Sequence, residues 1–159
     1  MTMHTPGRHI GQMKRTPVIL DAILRDVTQK QAQQATDGPD GWSVVEVVCH
    51  LRDFEKIFYN RAVQMLQDEQ PTLQPFDHEA LAVERDYASQ NLAMVLKIWR
   101  DTRRQFIDLL KGLDADQWSR SGLHPEHDTI TVLEQVMQVG THDVVHIEQI
   151  VRALELAER

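Results

Sequence analysis

Residues 42–53 read Trp42-Ser43-Val44-Val45-Glu46-Val47-Val48-Cys49-His50-Leu51-Arg52-Asp53. Ser43 followed three residues later by Glu46 is a capping box, in which a hydroxyl and a carboxylate each satisfy a backbone N–H at a helix start. Trp42 and Val47 stand where a hydrophobic staple fixes the entry of the chain. From there Val47, Leu51, Phe54, Phe58 and Met65 recur at helical spacing, so one apolar stripe runs to about residue 68.

Downstream, Pro71 and Pro75 mark a long connection. Leu92, Val95, Trp99, Phe106 and Leu110 then predict a third helix over 80–112, which Gly112 and the segment Ser121-Gly122-Leu123-His124-Pro125 interrupt. Thr131 and Glu134 form a second capping box, followed by a helix carrying Leu133, Val136, Gly140, Ile147, Val151 and Leu154. Upstream, Asp37-Gly38-Pro39-Asp40-Gly41 closes a first helix expected over 17–35, with Thr16 as cap and Pro17 at the first helical position. Residues 1–15 read as a polar N-terminal tail and 16–159 as one domain. At most Asp128–Thr131 adds a short extended piece. Four amphipathic helices of roughly 20–30 residues predict an all-α, up-and-down four-helix bundle. That order puts the second and fourth helices parallel and diagonal, with starts offset by about 6–12 Å to bring their histidines level.

The chain has 159 residues, with 24 Asp+Glu against 17 Lys+Arg and a formal charge of −7. This balance offers no basic face to phosphates, so no nucleic-acid partner is expected. No apolar run is long enough for a membrane span or a signal-peptide core, so a cytoplasmic protein with no membrane partner is expected. One cysteine excludes an internal disulfide framework.

Eight histidines are the unusual feature. His142 and His146 stand one helical turn apart, at the edge of the apolar arc around Val136 and Ile147. His50 lies likewise between Val47, Phe54 and Ile57. Three such imidazoles can converge on a divalent ion with one position left open, or remain separate hydrogen-bonded interior histidines. Glu46 and Asp53 flank His50 at one-turn spacings; Glu46 is engaged by the capping box, so Asp53 is the candidate general base. Asp143 falls inside an apolar arc, which calls for an ion pair or a histidine to orient. Gln149 lies one turn beyond His146, at hydrogen-bonding reach of a metal site or in solvent. Arg61 reads as a snorkelling arginine over core, Cys49 as a small buried hydrophobe, and His78, His124 and His127 as surface histidines in connections.

The stretch 42–53, together with Gly140-Thr141-His142-Asp143-Val144-Val145-His146-Ile147-Glu148-Gln149-Ile150, resembles the paired helix signatures of the DinB-like superfamily. The likeness runs over about residues 17–155 and includes Trp118 and the His124-Pro125 loop. It implies a four-helix bundle in which His50, His142 and His146 bind a divalent metal such as zinc, nickel or iron. It also implies small-molecule substrates, relatives that are transferases or isomerases using low-molecular-weight thiols, and others described as metal-dependent hydrolases. A non-catalytic stress-response module with a structural or adventitious metal is the competing class. A homodimer is expected from the resemblance and from apolar residues beyond one stripe (Val44, Val48, Val145).

Overall fold

The computed structural model describes residues 6–126 and 128–158. The helices are α1 (Pro6–Leu24), α2 (Gln29–Gln34), α3 (Val44–Gln67), α4 (His78–Glu84), α5 (Leu92–Lys111), α6 (Ala115–Ser119) and α7 (Val132–Ala157). An antiparallel hairpin, β1 (Ser121–His124) and β2 (Asp128–Thr131), leads into α7. The four long helices α1, α3, α5 and α7 form the expected four-helix bundle, though not in alternating up-and-down order. Both capping boxes are in place: Ser43 and Glu46 open α3, and Thr131 and Glu134 open α7.

Two core clusters fix the directions of the helices. One joins Leu20 and Leu24 near the end of α1, Val44–Leu51 at the start of α3, Leu92–Trp99 at the start of α5, and Ile150 and Ala153 late in α7. The other joins Met13 of α1, Met65 late in α3, Leu110 at the end of α5, and Val132 at the start of α7. Hence α1 and α7 run one way, and α3 and α5 run the other. Helix α3 packs against both α5 and α7, while α1 packs against the same two helices from the opposite side. The second and fourth long helices are therefore adjacent and antiparallel, which corrects the parallel, diagonal placement expected above. No offset of starts is needed to bring their histidines level.

Three boundaries also differ from expectation. Residues 6–15, expected as tail, are helical and Met13 is fully buried, while residues 1–5 of that tail lie outside the described residues. Pro17 sits inside α1, where it cannot donate to the Met13 carbonyl. The Arg103 Nη1 donates to that carbonyl instead, at 3.1 Å, which satisfies the acceptor the proline leaves open. The first helix stops at Leu24, and a further capping box, Thr28 with Gln31, starts α2. The 80–112 stretch is broken between Glu84 and Leu92 by Asp86, at φ +46°, and by a 3-10 turn over Tyr87–Ser89. Asn91 then caps α5 by accepting from the Met94 N–H.

The extended piece at Asp128–Thr131 pairs with Ser121–His124, from Ser121 opposite Thr131 to His124 opposite Asp128. Leu123 exchanges backbone bonds with Pro71 and Leu73, tying the hairpin to the connection after α3. Val44 and Val48, invoked for a dimer face, are fully buried core; Val144 and Val145 are exposed. No helix among the described residues is long and apolar enough to cross a membrane.

Candidate metal centre

The early turns of α3 lie against the middle of α7, and this crossing brings His50, His142 and His146 together. One ring nitrogen from each lies within 4.8 Å of the other two. The Nε2 atoms of His50 and His142 are 2.8 Å apart. Ring centroids separate by 4.9 Å for His50 and His142, 4.4 Å for His50 and His146, and 4.5 Å for the α7 pair. The α7 pair meets because residues four apart stack on one helix face. His50 joins them because its own face of α3 also carries Phe54, whose ring centroid is 4.4 Å away.

His50 is buried, and the other two are partly buried. Burial, with His142 and His146 close by, pushes the His50 imidazole down to about 2. Burial and His146 push His142 down to about 3, and burial lowers His146. All three are therefore neutral at pH 7, the form that ligates a metal. The His146 Nδ1 donates to Gln149 Oε1 at 2.8 Å, which fixes the tautomer and leaves Nε2 with its lone pair. The buried Nδ1 of His50 has no hydrogen-bond partner. Three neutral imidazoles without a carboxylate or thiolate suit zinc, nickel or ferrous iron. The residues present fit a divalent ion.

The histidines open onto a cavity of about 490 Å³ walled by Asp40, Gly41, Trp42, Phe54, His78, Glu79 and Gln149. Residues 36–43 form one rim. Asp37 N donates to Trp42 O, Val44 N to Ala35 O, and Thr36 pairs with Ser43. A Cβ on Gly41 would run into the Asp37 carbonyl, so that position must be glycine. The Arg152 guanidinium holds the Asp37 carboxylate at 2.6 and 2.8 Å.

Asp53 is not brought to the histidines. Its carboxylate accepts from the Tyr87 hydroxyl at 2.6 Å and from Arg52 at 2.7 Å, with Arg85 at 3.0 Å. Burial alone would push this carboxyl up, but Arg52, Tyr87 and Arg85 outweigh it and hold it below the usual range. Asp53 lines a separate groove with Lys56 and Thr102. Glu46 bonds Ser43 as the capping box requires.

Asp143 points away from the cavity and pairs with Arg103 at 2.8 and 3.0 Å. Arg103 also takes both oxygens of Glu55 at 2.7 Å. Burial opposes its charge, and the two carboxylates outweigh that and raise it. Sequence reasoning missed Arg103 and Glu55, although both lie on apolar stripes (Trp99 and Phe106; Leu51 and Phe58), where a charge requires a partner.

Arg61 is buried rather than snorkelling, and donates to the Gln74 carbonyl at 2.6 Å. Cys49 is fully buried, and burial pushes its thiol up to about 12. His78 is exposed but lines the cavity; His124 is buried in β1, not on the surface. His127 lies outside the described residues.

The sequence pattern of the DinB superfamily matches residues 12–150. The chain belongs to the DinB superfamily. It is 26% identical to the Bacillus subtilis protein named "Putative metal-dependent hydrolase YfiT", over 91% of this chain and 83% of that one. It is 25% identical to a protein of the same description from Bacillus pumilus, over 90% of this chain and 83% of the relative. The solved structure of YfiT, described as having an unusual four-helix bundle topology, superposes with a TM-score of 0.89 at 23% identity, covering 99% of this chain and 90% of YfiT. A mycothiol-dependent maleylpyruvate isomerase shares the fold at a TM-score of 0.77 and 12% identity. That match covers 94% of this chain and 63% of the isomerase.

Proposed function

We propose that the chain binds one divalent metal ion through His50, His142 and His146 and is a metal-dependent hydrolase of a small molecule. One observation carries this reading: three neutral imidazoles converge at the floor of an open cavity, instead of being sealed in the core. A divalent ion held there supplies Lewis acidity, activating water or polarising an acceptor group. His50, anchored deep in α3, sets the floor of the site. Gln149 holds His146 in one tautomer, which leaves its Nε2 lone pair for a metal. Trp42 and Phe54 supply an apolar wall that limits water around the reacting group.

The relatives matched over most of their length are named as hydrolases, which favours hydrolysis over thiol transfer. The mycothiol-dependent neighbour keeps a low-molecular-weight thiol as the second reading, since an open position would accept a thiolate as well as water. Asp53 has no place as general base in either, because its carboxylate is committed to Tyr87, Arg52 and Arg85.

Elemental analysis of untagged protein tests the site, with about one ion per chain expected for the wild type. His50→Ala, His142→Ala and His146→Ala should each lose it. Equal metal content in all four proteins would remove the assignment. Cobalt-loaded protein tests the open position: azide should shift its absorption spectrum, and a small thiol should add a sulfur charge-transfer band.

A further inference from the structure

We propose that the cavity selects a substrate carrying a positive charge, a protonated amine or quaternary ammonium, held at the mouth by Asp40 and Glu79. Calling that occupant a substrate rests on the metal-site reading above; the charge preference itself does not.

Among the residues lining the cavity, the carboxylates stand at Asp40 and Glu79, and no lysine or arginine is present. They come from separate segments, the 36–43 rim and the first turn of α4. The rim is fixed by its own backbone bonds and by the Arg152–Asp37 pair. Trp42 lines the same cavity, its ring centroid 5.9 Å from His78 and 5.2 Å from His50. An indole and two carboxylates in the wall of one cavity, with no lysine or arginine, match the chemistry that recognises an ammonium group. The nearby arginines are already committed, Arg152 to Asp37 and Glu148, and Arg52 and Arg85 to Asp53, and the His78 Nε2 lies 3.6 Å from the Glu79 carboxylate. A carboxylate or phosphate entering this mouth would find no lysine or arginine to replace its hydration. The net charge of −7 adds a long-range field of the same sign.

The test is an NMR titration of the metal-free protein with benzylamine, benzyl alcohol and benzoate, which share one ring and differ in charge at pH 7. The Trp42 indole N–H and the Gly41 amide are the reporters. Benzylamine should bind about tenfold or more tighter than benzoate, with the alcohol between. In the double variant D40N/E79Q the gap should close to about twofold while benzyl alcohol binds as before. Benzoate binding as tightly as benzylamine, a gap that survives in the double variant, or no shift at Trp42 with any probe would each overturn the proposal. The wild-type ranking stands even if the double variant fails to fold. Protein that takes up no metal yet prefers benzylamine would remove the hydrolase reading and uphold the charge selection.

Discussion

Arg103 donates to Glu55, to Asp143 and to the Met13 carbonyl, so one guanidinium joins all four long helices. Its removal strands two carboxylates in the core. Arg103→Met should therefore cost about 3–5 kcal/mol, read as a lower urea midpoint at unchanged slope. A loss below about 1 kcal/mol would mean that Glu55 and Asp143 find other donors. Gln149 acts at the other functional layer, on the ring of a proposed ligand. Gln149→Ala should weaken zinc binding about 10–100-fold in competition with a chelator, whereas Gln149→Glu, which keeps an acceptor for the His146 Nδ1–H, should stay near wild type. If the alanine variant binds zinc as tightly as wild type, the His146–Gln149 bond does not set the ligand.

Helix α3 depends on its first turn. Ser43→Ala removes the hydroxyl that accepts from the Glu46 N–H and should cost about 1 kcal/mol in thermal or urea unfolding. Gly41→Ala should do more harm to the cavity than to the core, because the added Cβ meets the Asp37 carbonyl in the rim; Gly7→Ala, with open space around it, serves as the control. Both changes read out in the Trp42 indole resonance. The same elements show what local sequence can carry. The Ser43–Glu46 and Thr131–Glu134 boxes lie within four residues of chain, and so the starts of α3 and α7 were readable. His142 and His146 were readable as a pair because helical spacing alone stacks them. Pro17 was misread as a helix start, because its tolerance inside α1 depends on Arg103, which lies on another helix. The break before α5 was hidden for the same kind of reason. Tyr87 turns inward there to bond Asp53 of α3, and that bond also withdraws Asp53 from the histidines. Helix order around the bundle was unreadable, since amphipathic stripes give each helix a buried face but not its neighbour.

At the scale of the molecule, folding and the histidine site are separable. The two core clusters run through all four long helices without involving the ring nitrogens, so metal-free protein should remain helical by circular dichroism. Zinc at 100 times its dissociation constant should add about 2.7 kcal/mol and raise Tm, because the unfolded chain lacks the assembled site. A chain that unfolds on chelation would have a structural metal. The metal-free protein should also lose stability in acid, and the sign follows from burial. The His50 and His142 imidazoles are pushed down to about 2 and about 3, whereas an unfolded histidine titrates near about 6.5. Between these values the unfolded chain binds more protons than the folded one. Stability is therefore full above about pH 6.5 and falls as the pH drops toward about 3, by up to roughly 1.4 kcal/mol per unit for each histidine. The Tm of chelated protein should fall between pH 7 and pH 5, and His50→Phe, which fills the same aromatic cluster without a titrating group, should fall less steeply. Equal slopes in the two proteins would mean that burial does not hold the His50 imidazole down in the folded state.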